Sequence, residues 1–124
     1  MTLEWKEDQP IYRQLRDKVA AQILTGSLKE GESLPSVRNV AVELQINPLT
    51  ASRAYQELVD EALVEKRRGL GMFIVKGARS KLLTLEKKRF LEDEWPEINA
   101  RISALGLSAK DLLKTIGNKN GSKK

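Results

Sequence analysis

Two helix-start signals, Pro35-Ser36 and Asn47-Pro48, lie so close in the chain that only one short helix and a tight turn fit between them. Ser and Asn side chains accept a hydrogen bond from the first free amides of a helix, and proline at the first helical position loses no needed donor. The chain must therefore start, stop and restart a helix here. Val37, Val40, Ala41 and Leu44 share one face of the first helix, and Gln45-Ile46 makes the turn. The second helix is predicted to run from Pro48 to about Ala62, with Ala51, Ala54, Tyr55, Leu58 and Ala62 facing inward.

Upstream, Pro10 opens a longer helix. Ile11, Leu15, Val19 and Ile23 recur every four residues, Ala20 and Leu24 widen the stripe, and Gly26 ends it. Residues 1–9 read as a loose polar arm around Trp5, and residues 27–35 as a loop.

Downstream the period changes. Leu63 to Arg68 and Met72 to Val75 are strand-like runs around Gly69-Leu70-Gly71, which predicts a hairpin. From about Arg79 the chain turns helical again. Leu91, Trp95, Ile98, Ile102 and Leu105 are spaced as the seam of a short coiled coil. Pro96 lies inside that stretch and should kink or break it. Gly106 and Leu107 suit a helix end, Ser108 and Asp111 resemble a capping box, and a last helix carries Leu112, Leu113 and Ile116. Residues 118–124 are expected to be a disordered tail.

The predicted architecture is mostly α. Residues 10–78 form a winged helix-turn-helix of three helices plus a β-hairpin wing, and residues 79–117 form a short two-helix tail that pairs two copies. In 124 residues such a tail has little else to bury its apolar side chains against.

Composition narrows the function. There is no Cys and no His, which removes thiol nucleophiles, most general-base chemistry and most transition-metal sites. With no phosphate loop and no evident acid–base pair, an enzyme, a metal site or a cofactor is not expected. No apolar run reaches the length of a membrane span, and the N-terminus lacks the apolar stretch of a signal peptide. A soluble cytoplasmic protein is expected. The net charge of +5 is compatible with nucleic acid, and its placement matters more than its size.

In a helix-turn-helix the second helix crosses the major groove. By helical phase, Leu49, Ser52, Arg53 and Gln56 point outward from it, with Thr50 at the edge. Arg reads guanine, Gln reads adenine, Ser and Thr bind phosphate or base, and Leu touches a thymine methyl. Lys66, Arg67 and Arg68 precede Gly69 on the wing, where they suit the DNA backbone or a narrow minor groove. Arg38 suits a phosphate, and the caps Ser36 and Asn47, chiefly structural, also stand within reach of one.

Pro35-Ser36-Val37-Arg38, Asn47-Pro48-Leu49-Thr50, Arg53 to Leu58 and Gly69-Leu70-Gly71-Met72-Phe73 together resemble the signature of GntR-family bacterial regulators. The Asn-Pro-x-Thr form and the short tail resemble the YtrA-like subfamily. The resemblance implies a homodimeric repressor bound to a palindromic operator on double-stranded DNA, with tail helices pairing the subunits. It also implies autoregulation and control of an ABC-transporter operon. It assigns DNA contact to Arg38, Thr50, Arg53, Gly71 and the wing. This chain departs from the pattern at Pro48 and Ser52, where many relatives in other subfamilies have Arg, at Leu49, where the YtrA-like pattern often has Asn, and at Gln45, where Gly is frequent.

A winged helix serving as a protein-interaction module is the competing reading, and retention on a DNA column separates the two. A capped last helix before a Lys-rich end is what a whole small regulator would show, rather than a piece of a larger one. No operator and no small-molecule effector follows from these residues. An effector would have to bind between subunits or between tail and DNA-binding domain, with Trp95-Pro96 as the hinge.

Overall fold

The computed structural model describes residues 5–120, with side-chain environments for residues 5–116. The chain divides into two compact units, Met1–Thr84 and Leu85–Lys124. The first holds α1 (Ile11–Thr25), α2 (Val37–Leu44), α3 (Pro48–Asp60), β1 (Val64–Arg67), β2 (Gly71–Ile74) and the start of α4 (Ala78–Arg89). It is a winged helix-turn-helix. The second unit continues from α4 through a π-helical turn (Phe90–Glu94) into α5 (Trp95–Ala104), followed by α6 (Ala109–Asn120).

The caps sit where the sequence puts them. Ser36 Oγ accepts from the Asn39 amide at 3.0 Å, and Asn47 Oδ1 accepts from the Leu49 amide at 2.7 Å. Between them Gln45 takes the left-handed conformation, φ 57° and ψ 49°, and closes α2. The turn that usually employs Gly is thus made by a residue with a Cβ. Ala62 is the second such case, at φ 61°. Helix α3 ends at Asp60, so Ala62 is exposed and not on the inward face expected of it. The expected burial of Ile11 also fails: at the first position of α1 it is 37% exposed.

Leu15, Val19 and Ile23 of α1 meet Val40 and Ala41 of α2 and Ala51, Ala54, Tyr55 and Leu58 of α3 in one core. Leu63, Val64 and Ile74 seal it from the hairpin, and Ala78 and Leu82 carry the first turns of α4 into it. Tyr55 is buried, and its hydroxyl donates to the Pro35 carbonyl at 2.8 Å. Burial pushes its phenol up to about 12.

The hairpin is antiparallel, with Val64 opposite Ile74 and Arg67 opposite Gly71. The loop expected before α2 joins the hairpin. The Leu34 amide donates to Met72, the Gly31 amide to Ile74, and Ser33 bridges to Phe73. Glu30 accepts from the Arg79 amide at 3.2 Å. Backbone hydrogen bonds from Gly77 and Arg79 hold its carboxyl below the usual range. The arm before α1 is also tied down where it is described. Gln14 accepts from the Lys6 amide and donates to the Lys6 and Gln9 carbonyls, at 2.7–2.8 Å.

In the second unit Pro96 neither ends the helix nor interrupts its helical dihedrals. Its missing N–H is absorbed by the π-helical turn before it, in which the Trp95 amide reaches back five residues to Phe90. The wider turn shifts the phase of Leu91 relative to Ile98, Ile102 and Leu105, so the seam counted on a regular helix is not straight. Gly106 and Leu107 close α5 through bonds to Ser103 and Ile102. Ser108 and Asp111 exchange amide-to-side-chain bonds at 3.0 and 3.1 Å. That box starts α6, which runs on past Gly117 to Asn120; residues 118–120, expected in the disordered tail, therefore have helical backbone. Residues 121–124 lie outside the described residues.

Candidate nucleic-acid interface

Helix α3 presents two chemically different faces. Ala51, Ala54, Tyr55 and Leu58 are buried, while Leu49, Ser52, Arg53 and Gln56 are exposed and Thr50 is half-buried. Leu49 is 77% exposed at the start of the helix. An aliphatic side chain held in water there costs free energy unless an apolar partner covers it. Pro48 occupies the first position of α3, and the first amides after it, Leu49, Thr50 and Ala51, are taken up by the Asn47 side chain and carbonyl.

Two of these outward side chains already have partners. Gln56 donates to Asp60 at 2.9 Å within α3. The Arg53 guanidinium lies over the Tyr12 ring of α1, 3.9 Å from its centroid, and donates to the Tyr12 hydroxyl at 3.3 Å. Tyr12 carries no functional signal in the sequence, because its role depends on which helix packs beside α3. Arg38, in the first turn of α2, is exposed and forms no ion pair among the described residues.

On the wing the three cations separate. Arg67 is folded onto its own hairpin, 2.8 Å from Glu65 and 4.2 Å over the Phe73 ring. Glu65, Arg67 and Phe73 share a sheet face because strand side chains alternate and Glu65 pairs with Phe73. Lys66 projects from the opposite face, and Arg68 leaves from the turn; both are exposed. Gly71 has φ 111°, which side-chain-bearing residues rarely adopt, and a Cβ built there would meet nothing within 4 Å. Its bare backbone therefore faces open space. A crevice of about 260 Å³ separates this turn from the start of α2, lined by Ser33, Ser36, Tyr55 and Leu70 among others.

Exposed helix and wing groups on one small domain match a known family. Residues 11–74 match the bacterial regulatory proteins of the gntR family. The chain belongs to the GntR family. It is similar to the HTH-type transcriptional regulator YhcF of Bacillus subtilis, 29% identical over 116 residues that cover 94% of each chain. It is 38% identical to the HTH-type transcriptional repressor YtrA of the same organism, over 63% of this chain and 60% of that protein. In three dimensions it resembles a GntR-family regulator from Listeria monocytogenes, with TM-score 0.74 and 28% identity over 92% of this chain and 98% of that one. This GntR-family chain is a DNA-binding transcriptional regulator and not an enzyme.

The second unit of the GntR-family chain is of another kind. Among its described residues no side chain is buried. Leu91, Trp95, Ile98, Leu105, Leu113 and Ile116 are 39–65% exposed, and Ile102 and Leu112 are half-buried. Leu85, Phe90 and Leu107, which the seam reading missed, are also exposed. None of the described helices is long and apolar enough to cross a membrane.

Proposed function

We propose that the protein is a homodimeric repressor that binds a palindromic operator in the cytoplasm. The observation that carries the DNA half of the reading is the outward face of α3. Leu49, Thr50, Ser52, Arg53 and Gln56 stand together at the exposed start and middle of the helix that enters the major groove in this architecture. Ser36, Arg38 and Asn47 lie at helix starts suited to phosphate, and Lys66, Arg68, Gly69 and Gly71 supply the wing contact. Arg67 joins them only by leaving Glu65 and Phe73.

Dimerisation is supported by the tail. An α5–α6 segment that buries none of its described side chains in its own chain leaves a large apolar area in water. Covering it with the same surface of a second copy gives two-fold symmetry, and two recognition helices then require a palindromic site. Autoregulation and control of an ABC-transporter operon belong to this proposal through the resemblance to YtrA-like regulators alone.

The test is a gel shift of purified protein on DNA upstream of its own gene, with scrambled duplex as competitor. A shift that resists the competitor and weakens steeply with salt supports the reading. Loss of the shift to scrambled duplex, repeated with duplexes selected from a random library, overturns it. Sedimentation velocity of the free protein tests the dimer directly.

A further inference from the structure

Arg53 and Glu57 stand four residues apart on α3, the spacing at which Arg and a carboxylate ordinarily pair across one helical turn. Such a pair would occupy the N–H edge with which Arg reads guanine. Among the described residues the two are not paired. Two adjacent residues of α1 hold them apart. Tyr12 sits beneath the Arg53 guanidinium at 3.9 Å and accepts one N–H at 3.3 Å. Arg13 stands 3.8 Å from the Glu57 carboxylate.

The chemistry of the two contacts differs in a way that favours recognition. A ring under a guanidinium touches its face and takes none of its five in-plane donors. The hydroxyl takes one. The remaining edge of Arg53 stays available while its long side chain is restrained, so less rotamer entropy is lost on binding. Tyr12 is half-buried and packed against the core, so the platform it offers is itself fixed.

We infer that Tyr12 is the positioning residue for Arg53 in base recognition, and that Arg13 completes the arrangement by drawing Glu57 away from Arg53. The inference rests on the proposed reading of α3 as the recognition helix.

The test uses full-length protein and a duplex enriched by the wild type from a random-sequence library. Affinity for that duplex and for random duplex is measured by fluorescence anisotropy at one salt concentration. Tyr12→Leu is expected to weaken the selected duplex by about 3- to 10-fold, with random duplex changed by less than about 2-fold. Tyr12→Phe keeps the ring and is expected to lose less. Arg13→Ala is expected to weaken selected binding by about 3-fold, and Arg13→Ala with Glu57→Gln to restore it. In an Arg53→Ala background neither Tyr12→Leu nor Arg13→Ala should matter further. An equal loss in that background overturns the inference, because Tyr12 would then act on its own. Unchanged or tighter selected binding by Tyr12→Leu also overturns it, the latter by showing that Tyr12 restrains Arg53 away from the groove. If thermal unfolding shows that Tyr12→Leu does not fold, the Arg13–Glu57 pair decides the question. Failure of the wild type to enrich any sequence, or wild-type binding by Arg53→Ala, instead overturns the recognition-helix reading beneath it.

Discussion

Arg16 of α1 is only 5% exposed, and it turns two edges of its guanidinium to carboxylates. Nε and Nη2 grip Glu61, just past α3, and Nη1 meets Asp17 at 2.9 Å. Burial works against its charge, yet the hydrogen bonds it donates to Glu61 and Asp17 outweigh that and raise its pKa above the ordinary value. The pair fastens the end of α3 to α1. Glu61→Ala leaves a buried cation short of partners and should cost about 1–3 kcal/mol, discounted because Glu61 is partly exposed. Denaturant unfolding reads this, and an unchanged midpoint would show the clamp to be idle.

Tyr55 links stability to alkaline pH. Its phenol is raised in the folded state to about 12, from an ordinary 10.0, by burial. The folded chain therefore holds this proton more tightly than the unfolded chain. The associated stability is complete below about pH 10 and is lost as pH rises towards 12, on the order of 2–3 kcal/mol in all. Tyr55→Phe should cost about 1 kcal/mol at neutral pH by orphaning the Pro35 carbonyl, and should flatten this alkaline loss relative to wild type. Chemical denaturation at pH 8, 10 and 11.5, about the ordinary phenol value, compares the two chains.

Gln45 closes α2 at φ 57°, where a Cβ is strained. Gln45→Gly relieves that strain at the expense of a looser unfolded chain, for a net gain of about 0.5–1 kcal/mol. The thermal midpoint should rise by about 2–6 °C. A fall would mean that the Gln45 side chain contributes a contact worth more than the strain.

The wing cations should contribute unequally to DNA binding. Lys66→Ala and Arg68→Ala are each expected to reduce the slope of log affinity against log salt by about 1. Arg67→Ala should reduce it by less than about half that, because Glu65 already neutralises Arg67 at 2.8 Å. Equal slopes for the three variants would show that Arg67 leaves its hairpin on DNA.

Ile98→Asp or Leu105→Asp places a charge in the exposed apolar surface of the second unit. Either is expected to give monomers in sedimentation velocity. Operator affinity should fall by at least about 100-fold, because two half-sites no longer bind as one ligand. Monomers that keep full operator affinity would separate the tail from DNA recognition.

Much of this arrangement was legible in the residues. The Ser36, Asn47 and Ser108 caps, the Gly106 helix end, the hairpin and the outward face of α3 all follow from signals within a turn or two of the chain. The misreadings fall where distant groups meet. The loop at Gly31–Leu34 reads as a loop without its bonds to the hairpin, because its partner, β2, lies far along the sequence. The arm at Lys6 looked loose because an amide side chain that serves as its hydrogen-bond partner, Gln14, gives no pattern. The π-helical turn before Pro96 went unread because such a turn has no sequence period of its own.

The sequence by itself determined the caps, the helix phases and the presence of Arg, Gln, Ser and Leu on the outer face of α3, since these depend on covalent spacing and on which side chains leave water. Only the tertiary structure decided how those groups are held. The Arg53–Tyr12 contact spans 41 residues and the Arg16–Glu61 pair 45. Such contacts exist only once a shared core has brought α1 beside α3, because burial of the apolar stripes offsets the entropy of closing the loops between them.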